Sequence, residues 1–255
     1  MQQELKSTKP VEALAPHTPL AAYYGNEVEH DQFLRRMFDN TAADYDRIER
    51  VLAFGSGPLY RRSALKRAGL VQGDRVLDVA IGTGLVAREA LSIIGAGGSI
   101  TGVDPSPGMM REVNLPRVQL VEGRAEALPR PDASASFVSM GYALRHISDV
   151  NKTFSEFFRV LQPGGRALVL EITKPEGRLG TALLKTYMRT MVPTIARVVA
   201  RRTDTSELWR YYWDTIEACI TPDLVLAAMR SAGFTDVRRH VELGIFSEYT
   251  GRKPG

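Results

Sequence analysis

The stretch Val76-Leu-Asp-Val-Ala-Ile-Gly-Thr-Gly-Leu-Val-Ala87 constrains this chain more than any other. An apolar run carrying one acid, Asp78, turns through Gly82 and Gly84. It then enters a segment with helical spacing at Leu85, Val86, Ala90 and Leu91. This reads as strand, glycine turn, helix. Glycine suits the turn because the backbone reverses sharply and a ligand must approach without a Cβ in its path. The helix N-terminus just beyond carries unsatisfied N–H groups. A second apolar run, Ser99-Ile-Thr-Gly-Val-Asp104, ends in an acid twenty residues after Gly84. An acid at that offset is placed to accept hydrogen bonds from ribose hydroxyls. The two runs together predict an adenosine-containing cofactor.

Gly82-x-Gly84-x-x-Ala87 also fits the nicotinamide-dinucleotide pattern, and a glycine turn of this kind also occurs with no ligand. Asp78 bears on that choice. It would repel a pyrophosphate, whereas it would hold the ammonium of an amino-acid moiety. This favours S-adenosyl-L-methionine over NAD.

The length of 255 residues fits one sizeable domain with additions. Hydrophobic content of 44% and charged content of 24% are those of a globular protein. No apolar run reaches the ~20 residues that span a bilayer, and no secretory signal pattern opens the chain. Cys219 is the one cysteine, so no internal disulfide forms, which fits a reducing cytoplasm. No Cys/His cluster has metal-ligand spacing, so no metal is expected. A net charge of +4 does not argue for nucleic acid.

Residues 1–29 are rich in proline and small polar residues, which predicts a disordered tail. From His30 to Val51, Leu34, Met37, Phe38, Tyr45, Ile48 and Val51 recur at helical spacing, with Asp39-Asn-Thr41 read as a cap between two helices. Leu59–Ala68 is a short basic helix. Strands then alternate with helices: strands at 75–79, 99–104, 118–122, 135–140 and 166–171, helices at 84–94, 107–112 and 149–161. Pro163-Gly-Gly165 is read as the turn before the fifth strand. Alternation over this length implies a parallel sheet with helices on both faces, and ligands outside the strands' carboxyl ends. Residues 177–218 interrupt it with helical patterns kinked at Pro193. A helix at 221–232 precedes two strands, 236–241 and 243–250, that read as an antiparallel hairpin. The expected fold is α/β, Rossmann-like and doubly wound: a mostly parallel seven-stranded sheet with a C-terminal antiparallel hairpin, a helical N-terminal lid and a helical insertion after strand 5. The domain runs from residue 30 to 255, with 177–218 as the insertion or substrate lid.

Several motifs together resemble the class I S-adenosylmethionine-dependent methyltransferases. They are Asp78-x-x-x-Gly82-x-Gly84, Asp104-x-Ser106-x-x-Met109, Gly123-Arg-Ala-Glu-Ala-Leu-Pro129 and Leu161-Gln-Pro-Gly-Gly165. Three more narrow the resemblance to the ubiquinone/menaquinone biosynthesis C-methyltransferase family: Phe38-Asp-x-x-Ala-x-x-Tyr45-Asp46, Ala143-Leu-Arg-His-Ile147 and Leu170-Glu-Ile-Thr-Lys-Pro175. The family usually has Gly where Ile81 stands, Asp where Leu85 stands, Asn where His146 stands and Asp where Arg124 stands. That last Asp normally faces the adenine amino group. Arg124 cannot accept a hydrogen bond, so Glu126 or backbone takes over, or the contact is lost.

The resemblance implies cofactor contacts from Asp78 (methionine ammonium), Ala80, Gly82, Thr83 and Gly84. It implies further contacts from Asp104 (ribose), Pro105, Ser106, Met109 (adenine), Arg124, Ala125, Glu126, Gly141 and Tyr142. Methyl transfer to a ring carbon needs an ionised phenol beside it and a group to remove a proton. Arg145 and His146, after the fourth strand, are the candidates. Arg145 stays charged and would stabilise a phenolate or order a water; His146 titrates near neutrality and would be a general base. Tyr45 is a candidate for the lid over the methyl group. Equally, Arg145 would pair with a surface acid, His146 cap a helix and Tyr45 be a core aromatic.

Residues 183–202 mix Leu184, Met188, Met191, Ile195 and Val199 with Lys185, Arg189, Arg197, Arg201 and Arg202. This reads as an apolar lid for a lipophilic aromatic substrate resting on an anionic membrane, or as an ordinary helix with a buried stripe. The expected protein is cytoplasmic and peripheral to the membrane at most, with a homodimer left open. The alternatives are an O- or N-methyltransferase on another small molecule, an NAD-dependent oxidoreductase and a non-catalytic cofactor-binding module.

Overall fold

The computed structural model describes residues 13–200 and 205–255. Five strands, β1 (Arg75–Val79), β2 (Ser99–Asp104), β3 (Val118–Glu122), β4 (Ala135–Gly141) and β5 (Leu161–Ile172), run parallel. The hairpin of β6 (Thr235–Glu242) and β7 (Phe246–Arg252) adds antiparallel against β5. The sheet order is β3-β2-β1-β4-β5-β7-β6. Strand order reverses between β1 and β4, which opens a crevice outside their carboxyl ends.

The helices are α1 (Glu27–Leu52), α2 (Gly57–Arg67), α3 (Leu85–Ile94), α4 (Pro107–Arg111) and α5 (Val150–Val160), then α6 (Arg178–Thr186), α7 (Val192–Val199), α8 (Thr205–Ala218) and α9 (Pro222–Ser231). Central strands buried on both faces are near-continuous apolar runs, as a doubly covered sheet requires. On one face Phe154 and Phe157 of α5 and Met229 of α9 pack on Val138, Met140 and Val169. On the other, Ala87, Ala90 and Ile94 of α3 pack with Leu65 of α2 on Val76, Ile100 and Phe137. A third apolar cluster stands apart: Ile48 and Met37 of α1, Val192 and Ala196 of α7, and Tyr211 and Trp213 of α8. It forms a cap rather than a layer of the sheet.

Four expectations need correction. Residues 1–12 lie outside the described residues, but the rest of the supposed tail is packed. His17 and Tyr24 are buried, and Val150 N donates to Leu14 O at 2.8 Å. The proline-rich stretch finds its partners on α5, α8 and the loop before α9, contacts that composition does not reveal. Second, α1 is unbroken through Asp39-Asn-Thr41. Thr41 turns its hydroxyl back to Met37 O at 2.9 Å, so it sits inside the helix rather than capping one. Third, β5 begins at Leu161. Leu161 pairs with Ala135 and Arg166 with Phe137, so the Pro163-Gly-Gly165 turn is a bulge within the strand. Fourth, the irregularity in 177–218 lies before Pro193. A π-helical turn, Tyr187–Met191, joins α6 to α7, and Pro193 sits in the first turn of α7, where its missing N–H costs least. Arg201 and Arg202 lie outside the described residues.

Among the described residues no helix is long and apolar enough to cross a membrane.

Candidate active site

A cavity of about 480 Å³ lies in the crevice at the strands' carboxyl ends. Asp78 and Ser139 are register partners on β1 and β4. Ser139 Oγ donates to Asp78 Oδ1 at 2.6 Å, while Oδ2 is buried with no hydrogen-bond partner among the described residues. Burial pushes the Asp78 carboxyl up to about 7, against the bond from Ser139. Where β1 and β4 end, Ala80 (φ 55) and Tyr142 (φ 60) take left-handed backbone without being glycine. Such residues cost about 1–3 kcal/mol each and persist where the surroundings over-determine them, typically at functional sites.

Asp104, at the end of β2, ties the two turns together. Gly82 N donates to its Oδ2 and Ser106 N to its Oδ1, both at 2.8 Å. Burial raises it to about 6, opposed by those two bonds. Both oxygens keep a lone pair for an incoming hydroxyl. Gly141 is required by packing, because a Cβ there would stand 2.7 Å from Val86 Cγ2.

These groups fit S-adenosylmethionine. Asp78 Oδ2 is a buried acceptor lacking a cation, and Asp104 faces the same space. Ala80, Gly82, Thr83, Pro105, Ser106, Met109, Arg124, Ala125, Glu126, Gly141 and Tyr142 all line the cavity with Asp78 and Asp104. Gly84 does not: it is the left-handed N-cap of α3 (φ 86), and a Cβ on it would approach Leu115. It shapes the turn from behind.

One stripe of α1 fastens the helix over these loops. Asp31 pairs with Arg124 of the loop after β3, and Arg35 reaches Glu122 at 3.3 Å. Asp39 Oδ1 accepts from Ser106 Oγ at 2.6 Å and from Gly108 N at 2.7 Å. Asp46 accepts from Thr83 Oγ1 at 2.5 Å, and Glu49 pairs with Arg61 at 2.7 Å. Positions 31, 35, 39, 46 and 49 share one face of a 3.6-residue helix. Sequence reasoning missed the contacts of all five residues, although their spacing was visible.

Arg124 is taken up by Asp31, by Ser148 Oγ at 2.8 Å and by Glu126 at 3.5 Å. The carboxylates along that wall are those of Asp31, Glu122 and Glu126, the first and last already accepting from Arg124. Glu126 also accepts from Ser148 N at 2.5 Å.

The far end of the cavity is aromatic. Phe38, Tyr45, His146 and Tyr212 line it together with Leu34 and Ile147. His146 sits at the end of a short 3-10 turn, Leu144–His146, stacked on Tyr211 at 5.5 Å and edge-on to Phe38 at 5.4 Å. Neither ring nitrogen has a hydrogen-bond partner among the described residues. Burial, helped by the charge of Arg145, holds His146 well below the usual imidazole range, so it is neutral. It does not cap the next helix; Asp149 does, accepting from Asn151 N at 2.9 Å. Tyr45 shares a 2.8 Å hydroxyl–hydroxyl hydrogen bond with Tyr212.

Arg145 is the main correction. It is fully buried, does not line the cavity, and pairs with Glu171 of β5, itself 1% exposed. Its guanidinium lies 4.5 Å from the Tyr212 ring centroid, so that ring separates it from the cavity. A surface partner was the alternative reading, and the acid is instead in the core. A fully buried arginine whose acid is distant in sequence carries no local signal.

On the hairpin, His240, Glu242 and Glu248 bring ligand atoms within 4.8 Å of one another. Arg67 already occupies both carboxylates, at 2.5 Å from Glu248 and 3.4 Å from Glu242.

The model of the ubiE/COQ5 methyltransferase family matches residues 26–253. A ubiquinone/menaquinone biosynthesis C-methyltransferase of Geobacter sulfurreducens is 33% identical over 234 residues, covering 88% of this chain and 90% of that one. A demethylmenaquinone methyltransferase of Symbiobacterium thermophilum is 31% identical over 237 residues, with 88% and 94% covered. Among solved structures, a SAM-dependent methyltransferase from Aquifex aeolicus shares the fold at TM-score 0.58 and 19% identity, covering 81% of this chain and 97% of that one. Phosphoethanolamine N-methyltransferase 2 of Haemonchus contortus, in complex with S-adenosyl-L-methionine, does so at 0.63 and 18%, with 89% and 60% covered.

Proposed function

The chain belongs to the ubiE/COQ5 methyltransferase family and depends on S-adenosylmethionine, and from that premise we propose that it methylates a ring carbon of a phenolic or hydroquinone acceptor. The observation that carries the reading is the uncharged aromatic wall of Phe38, Tyr45 and Tyr212 beside His146, whose ring nitrogens are buried without a hydrogen-bond partner among the described residues. The charged residues lining the cavity are Asp31 and Arg35 of α1, Asp78, Asp104 and Glu122 at the ends of β1, β2 and β3, and Arg124 and Glu126 of the loop after β3.

When bound, S-adenosylmethionine supplies an electrophilic methyl on a sulfonium. Asp78 holds the ammonium, and Asp104 takes the ribose hydroxyls. Asp31 and Glu126 stand as acceptors for the adenine amine, in place of the acid that Arg124 replaces. The aromatic wall stacks the acceptor ring and excludes water, and such alignment is worth about 7–11 kcal/mol of barrier. His146, neutral, takes the phenol proton and so makes the adjacent carbon nucleophilic; once that carbon carries the methyl, its ring hydrogen leaves as a proton to water and the oxygen regains its own from His146, which restores the aromatic ring. Tyr45, tied to Tyr212, closes the space over the transferred methyl. Arg145 does not line the cavity, and its charge is paired with Glu171 behind Tyr212, so it supports that ring rather than the acceptor.

The region 177–218 serves as a substrate lid in this reading, since Tyr212 of α8 lines the cavity. Contact of 183–202 with an anionic membrane is supported by exposed Leu183, Met191 and Val198. It is supported too by Thr186, Thr190 and Thr194, which turn their hydroxyls onto carbonyls four residues back and leave methyl groups outward. Co-sedimentation with anionic but not neutral vesicles is expected; equal recovery from both would sink the contact.

The function is tested with S-adenosylmethionine and a short-chain demethylmenaquinol, the position of the new methyl being read by NMR. A methyl on ring carbon is expected, with His146→Ala losing turnover but not cofactor affinity. A methyl on oxygen, or no transfer, overturns the reading.

A further inference from the structure

The family match begins at residue 26, yet residues 13–25 are built into the site. Leu14 N donates to Asp149 Oδ1 at 3.3 Å, and Leu14 O accepts from Val150 N at 2.8 Å. Pro16 O accepts from Ile220 N at 2.8 Å. These bonds stitch the segment between the start of α5 and the loop before α9, which brings buried His17 under the turn that carries His146. His17 Nε2 lies 3.0 Å from Arg145 O. Its Nδ1 lies 2.8 Å from Thr18 O, and since a carbonyl only accepts, a ring with one N–H donates to one of the two carbonyls and the tautomer with N–H at Nε2 is the one that holds Arg145 O.

The same segment reaches the other side of His146. Tyr23 donates its hydroxyl to Asp214 Oδ2 at 2.7 Å and sets its ring edge-on to Tyr211 at 5.2 Å. Tyr211 is the ring stacked on His146, at 5.5 Å and 22° between planes. His146 is thus gripped through its backbone by His17 and through its stacking partner by Tyr23. It has no hydrogen bond of its own to fix its ring, and the 3-10 turn beneath it is only three residues long. A side chain in that situation takes its orientation from packing and from its backbone seat.

We propose that residues 13–25 form a positioning strap for methyl transfer, with His17 and Tyr23 as positioning residues that hold the His146 imidazole toward the acceptor. This rests on the reading of His146 as the group that takes the acceptor's proton. The strap's hydrogen bonds to Asp149, Val150, Ile220, Arg145 and Asp214 reach no group assigned to the cofactor. Its loss therefore acts on turnover and not on cofactor affinity.

The test uses the full chain with His17→Ala, His17→Gln (which keeps a donor near Nε2) and Tyr23→Ala. Two readouts are taken. The first needs no acceptor: imidazole NMR signals of ¹⁵N-histidine-labelled protein, with the His146 signals assigned through His146→Asn. The second is kcat and KM with the short-chain demethylmenaquinol, beside the Kd for S-adenosylmethionine. Losing one hydrogen bond should lower kcat up to about tenfold while that Kd stays within about twofold. In both alanine variants the His146 signals should shift and broaden, and His17→Gln should restore most of kcat and the signals. Unmoved His146 signals in both alanine variants overturn the strap. So does a parallel loss of cofactor affinity and turnover, which would mark a merely structural segment. If one variant fails to fold, the other decides. If the signals move while His146→Ala keeps full turnover, the proton-acceptor reading of His146 falls, and with it the catalytic part of the strap's role.

Discussion

Asp78 and Ser139 face each other across β1 and β4, and the serine satisfies only one of the two carboxylate oxygens, donating to Oδ1 at 2.6 Å. The other oxygen lies buried without a hydrogen-bond partner among the described residues, so the carboxyl ionises reluctantly until a cation arrives.

The first prediction follows from that linkage. Burial raises Asp78 from its ordinary 3.8 to about 7 and Asp104 to about 6. A carboxyl raised in the folded state contributes stability that is complete below 3.8 and is lost as pH rises through the folded values. The free protein should therefore lose stability between about pH 4 and pH 7 from these two groups. An ammonium on Asp78 favours its ionised form, so cofactor binding near neutral pH should release protons, and affinity should fall as the pH drops below about 7. Calorimetry in two buffers of different ionisation enthalpy measures the release. Identical heats in both at about pH 6.5 would remove Asp78 as the ammonium partner.

The second concerns Arg145 and Glu171. Removing one partner of a buried ion pair strands a charge, so Glu171→Ala should cost about 3–5 kcal/mol. Replacing both at once, Arg145→Met with Glu171→Leu, should cost much less, because no charge is left buried alone. Denaturant midpoints give both values. A Glu171→Ala variant within about 1 kcal/mol of the parent would mean that the pair is not sealed from water.

The third tests the acidic stripe of α1. Asp39 holds Ser106 Oγ and Gly108 N, so Asp39→Ala removes two charge-assisted bonds that place the loop after β2. Each is worth about 1.5–3 kcal/mol, part of which water recovers, so cofactor affinity should fall about tenfold or more. Stopped-flow release of S-adenosylmethionine should quicken, while amides of β1 and β4 keep their exchange protection. Unchanged release would show that α1 does not gate the cavity.

Much of the fold was legible because its signals are local. β1, β2 and β3 have the limits read from their apolar runs, and the carboxylates of β1 and β2 fall where the glycine turn and the strand ends require. Nearly all the expected cofactor residues line one cavity for the same reason: parallel strands deliver their C-terminal loops to one edge. Gly84 was misjudged by one step of that logic, since a left-handed cap serves the turn without facing the ligand.

Other features depend on partners far away in the chain. Asp39-Asn-Thr41 looks like a helix stop. It is helix interior because Asp39 is bound to the loop after β2 and Thr41 to the helix's own backbone. The stretch before residue 27 reads as a tail, yet His17 meets Arg145 across 128 residues of sequence. Arg145 reads as a cation at the site or as one paired with a surface acid; Glu171, on a strand that topology sets beside β4, is what makes its burial tolerable. The glycine turn, the limits of β1, β2 and β3 and the cofactor loops thus follow from backbone preference and local period, which the sequence alone determines. Which acid meets which base, and that both His146 ring nitrogens are buried without a hydrogen-bond partner among the described residues, was decided only by tertiary packing, because burial and pairing are properties of the surroundings and not of the residue.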